Sequence, residues 1–572
     1  MKLWKRMTGI GVAALLLFMA ACTNGSGSKQ GETTSEGAKT GEKSLYTIRV
    51  LVTSTGSTVV KKSDETPVGK VIKDKFNIVF EFIPFNGDYR DKLNMMLASG
   101  DYPELLRVER QDLVTKFINA GAALPLDDYL KDAKHFNEAN KASIPFWRLP
   151  ASDGKLYKWE TNVPQDVNNF CECQDIAIRN DVLKEQGYPK LLSTDDYVEF
   201  LKKAIAAHPT TNGKKTLGVV APFAESWGMA GIMPILYEKG DKYISVGNEG
   251  VIFNIKDQKF EDMLLNAYTK ESYQFFNKLY REGLLDNESF TDTLTQVTEK
   301  INSGQALGYY YTMWIKDTVN KTLEKGGHPE LGYVQLPIQT NTMVKEGQKK
   351  NLRLETVRPY DSVIITKNAK DPKRIFELID WVSSEEGQIL LQSGVEGVHY
   401  KRIDGKRVLT DEFKKGYQED PNYLSKQGIG AGMSFLGFRW LTAKDNQPYN
   451  LLNETAASDE FSLTKTVADA YKSLGWADSK DWFRKNGVPA PGGLASGIII
   501  DPASSEGMIS QKIVELRVKN SAKLVMAKSE AEFEQIWQEL IKQYQALNPQ
   551  KVVDKYNQLF QQQQAKVKEY MK

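Results

Sequence analysis

Three tryptophans stand where an indole ring is free to do chemistry instead of filling a core. Trp227 lies in Ala224-Glu-Ser-Trp-Gly228, just beyond the apolar run 217–220. Trp314 closes Gly308-Tyr-Tyr-Tyr-Thr-Met-Trp314, and Trp440 ends Gly437-Phe-Arg-Trp440 behind a glycine-rich stretch. Loops beyond strand ends are favoured places for function. A flat indole face suits the C–H surface of a polyhydroxylated ligand, whose hydroxyls then need planar polar partners. Asp88, Glu109, Asp361 and Arg439 are the candidates for that second role. Against each tryptophan stands simple packing, and against each charge a solvated surface position. Trp381 and Trp537 ride on helix-periodic faces and read as core. Trp147 and Trp159 flank the turn Asp153-Gly154 and lean towards structure.

Other chemistries find little support. Cys171-Glu-Cys173 is a lone C-x-C, and the four histidines (His135, His208, His328, His399) lie far apart, so no metal-ligand spacing results. We read the cysteine pair as part of a loop before the strand at Ile176, either as free thiols or as a strained local disulfide. Three cysteines in 572 residues make no disulfide framework. The chain has no G-x-G-x-x-G, no G-x-x-x-x-G-K-[ST], no G-x-S-x-G and no H-E-x-x-H. No cofactor and no metal is implied. A pair of carboxylates for glycoside cleavage cannot be picked from 73 acids without geometry. The 75 basic residues nearly balance those acids, which removes the footprint of a nucleic-acid binder. A mean hydropathy of -0.45 excludes a polytopic membrane protein.

The N-terminus carries an address. Lys2, Lys5 and Arg6 precede an apolar run from Ile10 to Met19, then Ala20-Ala21-Cys22. A cationic start, a short apolar stretch and small residues before the cut make a signal peptide over residues 1–21. The run is shorter than the roughly 17–25 residues a transmembrane helix needs. Cys22 after two alanines resembles a bacterial lipobox, with Met19 where leucine is usual, and would become the lipidated (palmitate-bearing) N-terminus. Residues 22–44 are polar and small, a tether that buries nothing and stays disordered. Such a coil spans roughly 25 Å.

The elements that must position the candidates alternate. Strand-like runs at 45–54, 77–85 and 105–108 are interleaved with helical spacing at 89–97 and 113–118. Asp175–Arg179 reads as a strand feeding a helix, and Ser193-Thr-Asp-Asp196 as the cap of another. A further βα stretch covers 363–391. The chain closes on an apolar helical face from Phe533 to Phe560, interrupted at Asn548-Pro549. Alternating strands and helices predict α/β sheets whose ligands sit beyond the carboxyl ends of the strands.

The order of these segments resembles the family-1 extracellular solute-binding lipoproteins of bacterial ABC importers, in the large Gram-positive, carbohydrate-using subgroup. The likeness is carried by Ser99-Gly-Asp-Tyr-Pro-Glu104, Gly121-Ala-Ala-Leu-Pro-Leu126, Ile178-Arg-Asn-Asp181 with Val182 in place of the frequent Trp, and Asp371-Pro-Lys-Arg374. Asp380-Trp381, Ser384-Glu-Glu-Gly387 and Gly394-Val-Glu-Gly397 continue it. The resemblance implies a two-lobed α/β fold of the periplasmic-binding-protein type, each lobe a mixed sheet, with the ligand cleft between lobes. Lobe one is expected at 45–155 plus 305–355, lobe two at 156–304 plus 356–572. It further implies a monomer on the outer face of the cell membrane that captures a carbohydrate, an oligosaccharide in particular, by hinge closure. Its partners would be that ligand and the membrane subunits of the ABC permease, with no nucleic acid. The alternatives are an exported carbohydrate-active enzyme or a surface glycan-binding adhesin.

Overall fold

The computed structural model describes residues 44–51, 59–84, 89–166, 176–225, 228–229, 240–246, 250–310, 315–352, 357, 361–420, 422–453, 463–489 and 493–572. Nine strands build its two main sheets: β1 (Tyr46–Leu51), β2 (Ile78–Ile83), β3 (Leu105–Val108), β4 (Trp159–Glu160), β5 (Ile176–Arg179), β6 (Leu217–Val220), β7 (Ala306–Tyr310), β8 (Tyr333–Leu336) and β9 (Ser362–Ile365). The first sheet runs β2-β1-β3-β9-β4 and the second β8-β5-β7-β6. β1 lies parallel to β2 and β3, while β9 runs antiparallel to β3 and β4. In the second sheet β6 and β7 are parallel, and β5 runs against both β7 and β8.

Each sheet has its own core. Around the first pack Phe80, Trp147, Trp159, Phe376, Phe435 and Leu451; around the second pack Tyr197, Phe276, Leu463, Trp537 and Tyr556. The chain therefore crosses from lobe one to lobe two between β4 and β5, returns between β8 and β9, and leaves again between Leu451 and Leu463. By sheet and core membership this division differs from the lobes expected from the sequence, 45–155 plus 305–355 and 156–304 plus 356–572. Residues 306–310 belong to lobe two, whereas β4, β9 and the helices Pro372–Val382 and Glu385–Ser393 belong to lobe one. The reason is physical. β7 and β9 are both buried along their whole length, so their apolar runs carry no mark of which sheet they join.

Local sequence fixes the helices around these sheets. Ser193 Oγ accepts from the Asp196 amide at 3.1 Å and Asp196 returns a bond to the Ser193 amide at 3.0 Å, starting the helix Thr194–Ala207 with a capping box. Asn548 takes φ 57° and, with Pro549, breaks the terminal helical region into Glu530–Ala546 and Gln550–Tyr570. Among the described residues no helix is long and apolar enough to cross a membrane.

Candidate functional site

Lobe one gathers its polar side chains at one sheet edge. Ser362 at the start of β9 is in register with Val108 at the end of β3 and with Glu160 at the end of β4. Glu109, Asp361 and the segment after Glu160 thus emerge together. The Thr161 amide donates to the Asp361 carbonyl at 2.9 Å. The Asp361 carboxylate pairs with Arg107 on β3 and accepts from Asn162 Nδ2 at 3.2 Å. Asn162 Oδ1 in turn receives the indole N–H of Trp440 at 2.9 Å. Backbone bonds from Trp440 to Pro164 and from Asp166 to Trp440 lock the tryptophan's segment onto the same edge. Below this row, Lys158 binds Glu160 and Ser362 within the sheet.

Trp440 and Asp361, proposed from sequence as separate contacts, are thereby joined through Asn162. Trp440 is half-buried, and Asp361 shows 7% of its side chain to solvent. Glu109 is half-buried beside Tyr89, whose hydroxyl donates to the Arg107 carbonyl. Burial first, and the Glu109 charge second, push the Tyr89 phenol up.

Arg439 sits elsewhere. It is 4% exposed, inside lobe one, with Nη2 donating to Asn140 Oδ1 at 3.2 Å and to Ser383 Oγ at 2.9 Å. Burial pushes its guanidinium down to about 10. Its amide and carbonyl are held by Gln388 and Gln392. Arg439 therefore ties helices together, and the expectation that it faces a ligand is corrected: its side chain is buried against Asn140 and Ser383, while that of its neighbour Trp440 reaches Asn162. Trp147 and Trp159 are core residues at 1% exposure each. Trp381 lies at the core's margin, with the Lys75 ammonium 4.6 Å from its ring.

Lobe two presents an equivalent edge, where Tyr310, Ile176 and Leu336 lie in register and Tyr309 meets Val220. In sequence Trp227 comes after β6, Trp314 after β7 and Asp88 after β2. These three residues, together with Cys22, Cys171 and Cys173, lie outside the described residues. Beside the end of β8 a cavity of about 360 Å³ is bounded by Tyr188, Pro337, Trp476, Trp482 and Lys485. Trp476 stacks on Tyr471 with ring centroids 5.3 Å apart.

Sequence reasoning missed Arg107, Asn162, Trp476 and Trp482. A signal existed for two of them. An arginine inside the otherwise apolar Leu105–Val108 demands a buried partner, and Trp476 follows a glycine that ends a helix.

Two α/β lobes joined by three crossings, each with a polar or aromatic strand-end edge, define a two-lobed binding protein. The chain belongs to the bacterial extracellular solute-binding protein family, whose pattern matches residues 70–389. It is 25% identical over 357 residues to lipoprotein LipO of Bacillus subtilis, covering 60% of this chain and 66% of that protein. It is 24% identical over 346 residues to the polygalacturonan/rhamnogalacturonan-binding protein YtcQ of the same organism, covering 59% and 64%. The chain thus spans a little under two thirds of the length of each. Among solved structures, the alginate-binding protein AlgQ2 superposes with a TM-score of 0.63 at 17% identity, over 91% of this chain and 99% of that one, a likeness of fold.

Proposed function

We propose that this protein is the substrate-binding lipoprotein of an ABC importer, which captures an oligosaccharide between its lobes and hands it to the permease subunits in the membrane. The observation that carries the reading is the edge of lobe one, where Trp440, Asn162, Asp361 and Arg107 form one hydrogen-bonded row at the carboxyl ends of β3 and β4 and the amino end of the antiparallel β9. An indole held by its N–H, next to amide and carboxylate groups, supplies stacking and hydroxyl recognition together. Trp227, Trp314, Asp88 and Glu109 are the further contacts we assign to the ligand. One relative is named as polygalacturonan/rhamnogalacturonan-binding and another as binding fructooligosaccharide, so acidic and neutral oligosaccharides are the classes to try side by side. The protein binds without converting its ligand, works as a monomer, needs no cofactor, and is held at the outer face of the membrane by lipidated Cys22.

Thermal-shift screening of residues 45–572 against oligogalacturonides, alginate oligomers and neutral oligosaccharides tests the reading. A stabilising hit that binds one-to-one in calorimetry and is recovered chemically unchanged is the expected result. Recovery of cleaved sugar would make the protein an enzyme. Binding only to polymer surfaces, never to short oligomers, would favour an adhesin. For the anchor, Cys22→Ala in a Gram-positive host should release the protein into the medium or leave it unprocessed; a processed variant still bound to the membrane would contradict it.

A further inference from the structure

Away from the binding edges, lobe two assembles three carboxylates around a single ammonium. The turn after Leu285 carries Asp286, Glu288 and Asp292, and the helix Leu294–Asn302 carries Lys300. Lys300 Nζ lies 2.7 Å from Asp286 Oδ2, 2.6 Å from Glu288 Oε2 and 2.6 Å from Asp292 Oδ2. An ammonium has three N–H donors, and each is given to a different carboxylate. The aspartate side chains are 8% and 6% exposed, while Glu288 closes the cage from solvent at 70%. Burial alone would pull the Lys300 ammonium down, but its three carboxylate partners outweigh that and push it up. The same contact holds Glu288 below the usual carboxylate range.

The turn is stitched to the segment that leaves β6. The Asp286 amide donates to the Val219 carbonyl at 2.9 Å, and the Phe223 amide to the Ser289 carbonyl at 2.9 Å. The Ala224 amide reaches the Asp292 carbonyl at 3.4 Å. Ser289 Oγ accepts from the Ala221 amide at 3.1 Å, and Glu225 Oε1 from the Leu294 amide at 3.1 Å. Whatever holds the turn therefore holds residues 221–225, the stretch leading from the strand end towards Trp227.

Three carboxylate oxygens within 4.8 Å of one another repel unless a cation sits among them. Divalent calcium meets such a demand with oxygen ligands at about 2.3–2.6 Å. We infer that Lys300 is a positioning residue that acts as the built-in cation of this turn, doing the work of a bound divalent ion and so fixing segment 221–225 without a metal. The inference does not depend on which ligand is bound, and its test uses none, so it can fail while the binding reading stands, and the reverse.

Hydrogen exchange at the amides of Ala221, Phe223 and Ala224 reads it directly. Wild-type protein should exchange equally in EDTA and in about 5 mM calcium chloride, a concentration that fills weak oxygen sites. Lys300→Met should exchange about tenfold faster at these amides in EDTA, and calcium alone should return it to near the wild-type rate, because the emptied cage accepts the ion. Lys300→Gln is measured in parallel and carries the test if the methionine variant does not fold. Protection in EDTA as strong as in wild type, loss that calcium does not restore, or a calcium response in wild type would each overturn the inference.

Discussion

Lobe one fastens its strand ends with side chains drawn from four distant stretches of chain: Arg107, Asn162, Asp361 and Trp440 meet in one row. Lobe two fastens its own at one remove, through a turn held by Lys300 and a wall of C-terminal helices whose aromatic rings fill the core. The same task, presenting strand ends at fixed positions, is met in lobe one by a row of linked charges and in lobe two by apolar bulk, the Lys300 ammonium and the buried Arg179–Asp181 pair at the end of β5. Charge makes lobe one sensitive to the loss of either partner. Bulk makes lobe two sensitive to the loss of volume.

The largest effect should come from lobe two's core. Trp537 is 5% exposed, stacks on Phe533 at 8° between ring planes and lies 6.0 Å from Tyr273. Trp537→Ala should cost about 3–5 kcal/mol of stability, read as a lower urea midpoint. Exchange protection in lobe one should remain. A loss shared equally by both lobes would show that they unfold as one body and would dissolve the contrast.

Next comes the charge row. Arg107 and Asp361 are 11% and 7% exposed at their side chains. Asp361→Ala strands a buried guanidinium and should cost about 3 kcal/mol, localised to lobe one. The double variant Arg107→Met, Asp361→Ala should recover part of that loss. If it is no better than the single variant, the penalty lies in lost packing and not in uncompensated charge.

The smallest stability effect is a titration. His399 is buried in lobe one, where its Nδ1 accepts from the Val395 amide at 2.8 Å and its Nε2 meets Gln427 Oε1 at 3.1 Å. That pattern requires a neutral ring, and burial pulls its proton affinity down, with the Gln427 contact opposing more weakly. As pH falls below about 6.5, the unfolded chain takes up the proton before the folded one does. Stability from this group is thus full at neutral pH and is lost as the medium acidifies towards the depressed folded value. Urea midpoints at about pH 7.5 and about pH 5 should differ more for wild type than for His399→Gln. Equal differences would remove His399 from the account.

The contrast also shows what could be read from sequence. β3, the capped helix after Ser193 and the break at Asn548-Pro549 were legible, because each depends on neighbours a few residues away. Lobe membership of β7 and β9 was not, since a fully buried strand has no exposed face to reveal its partners. Nor was the fate of Arg439, whose partners Asn140 and Ser383 lie hundreds and tens of residues away respectively. Asp361 and Trp440 were chosen for their loops, but their link through Asn162 follows only from the register of β9 against β4.

One titration tests the central claim most directly. With the oligosaccharide that gives the strongest thermal shift, calorimetry on wild type and Trp440→Ala measures what the lobe-one row contributes. An indole face against a sugar covers roughly 60 Å², worth about 1.5 kcal/mol. The account predicts about tenfold weaker binding by the variant, at a melting temperature close to that of wild type. Equal affinity in the two proteins, or weaker binding explained by a collapse in stability, would contradict it.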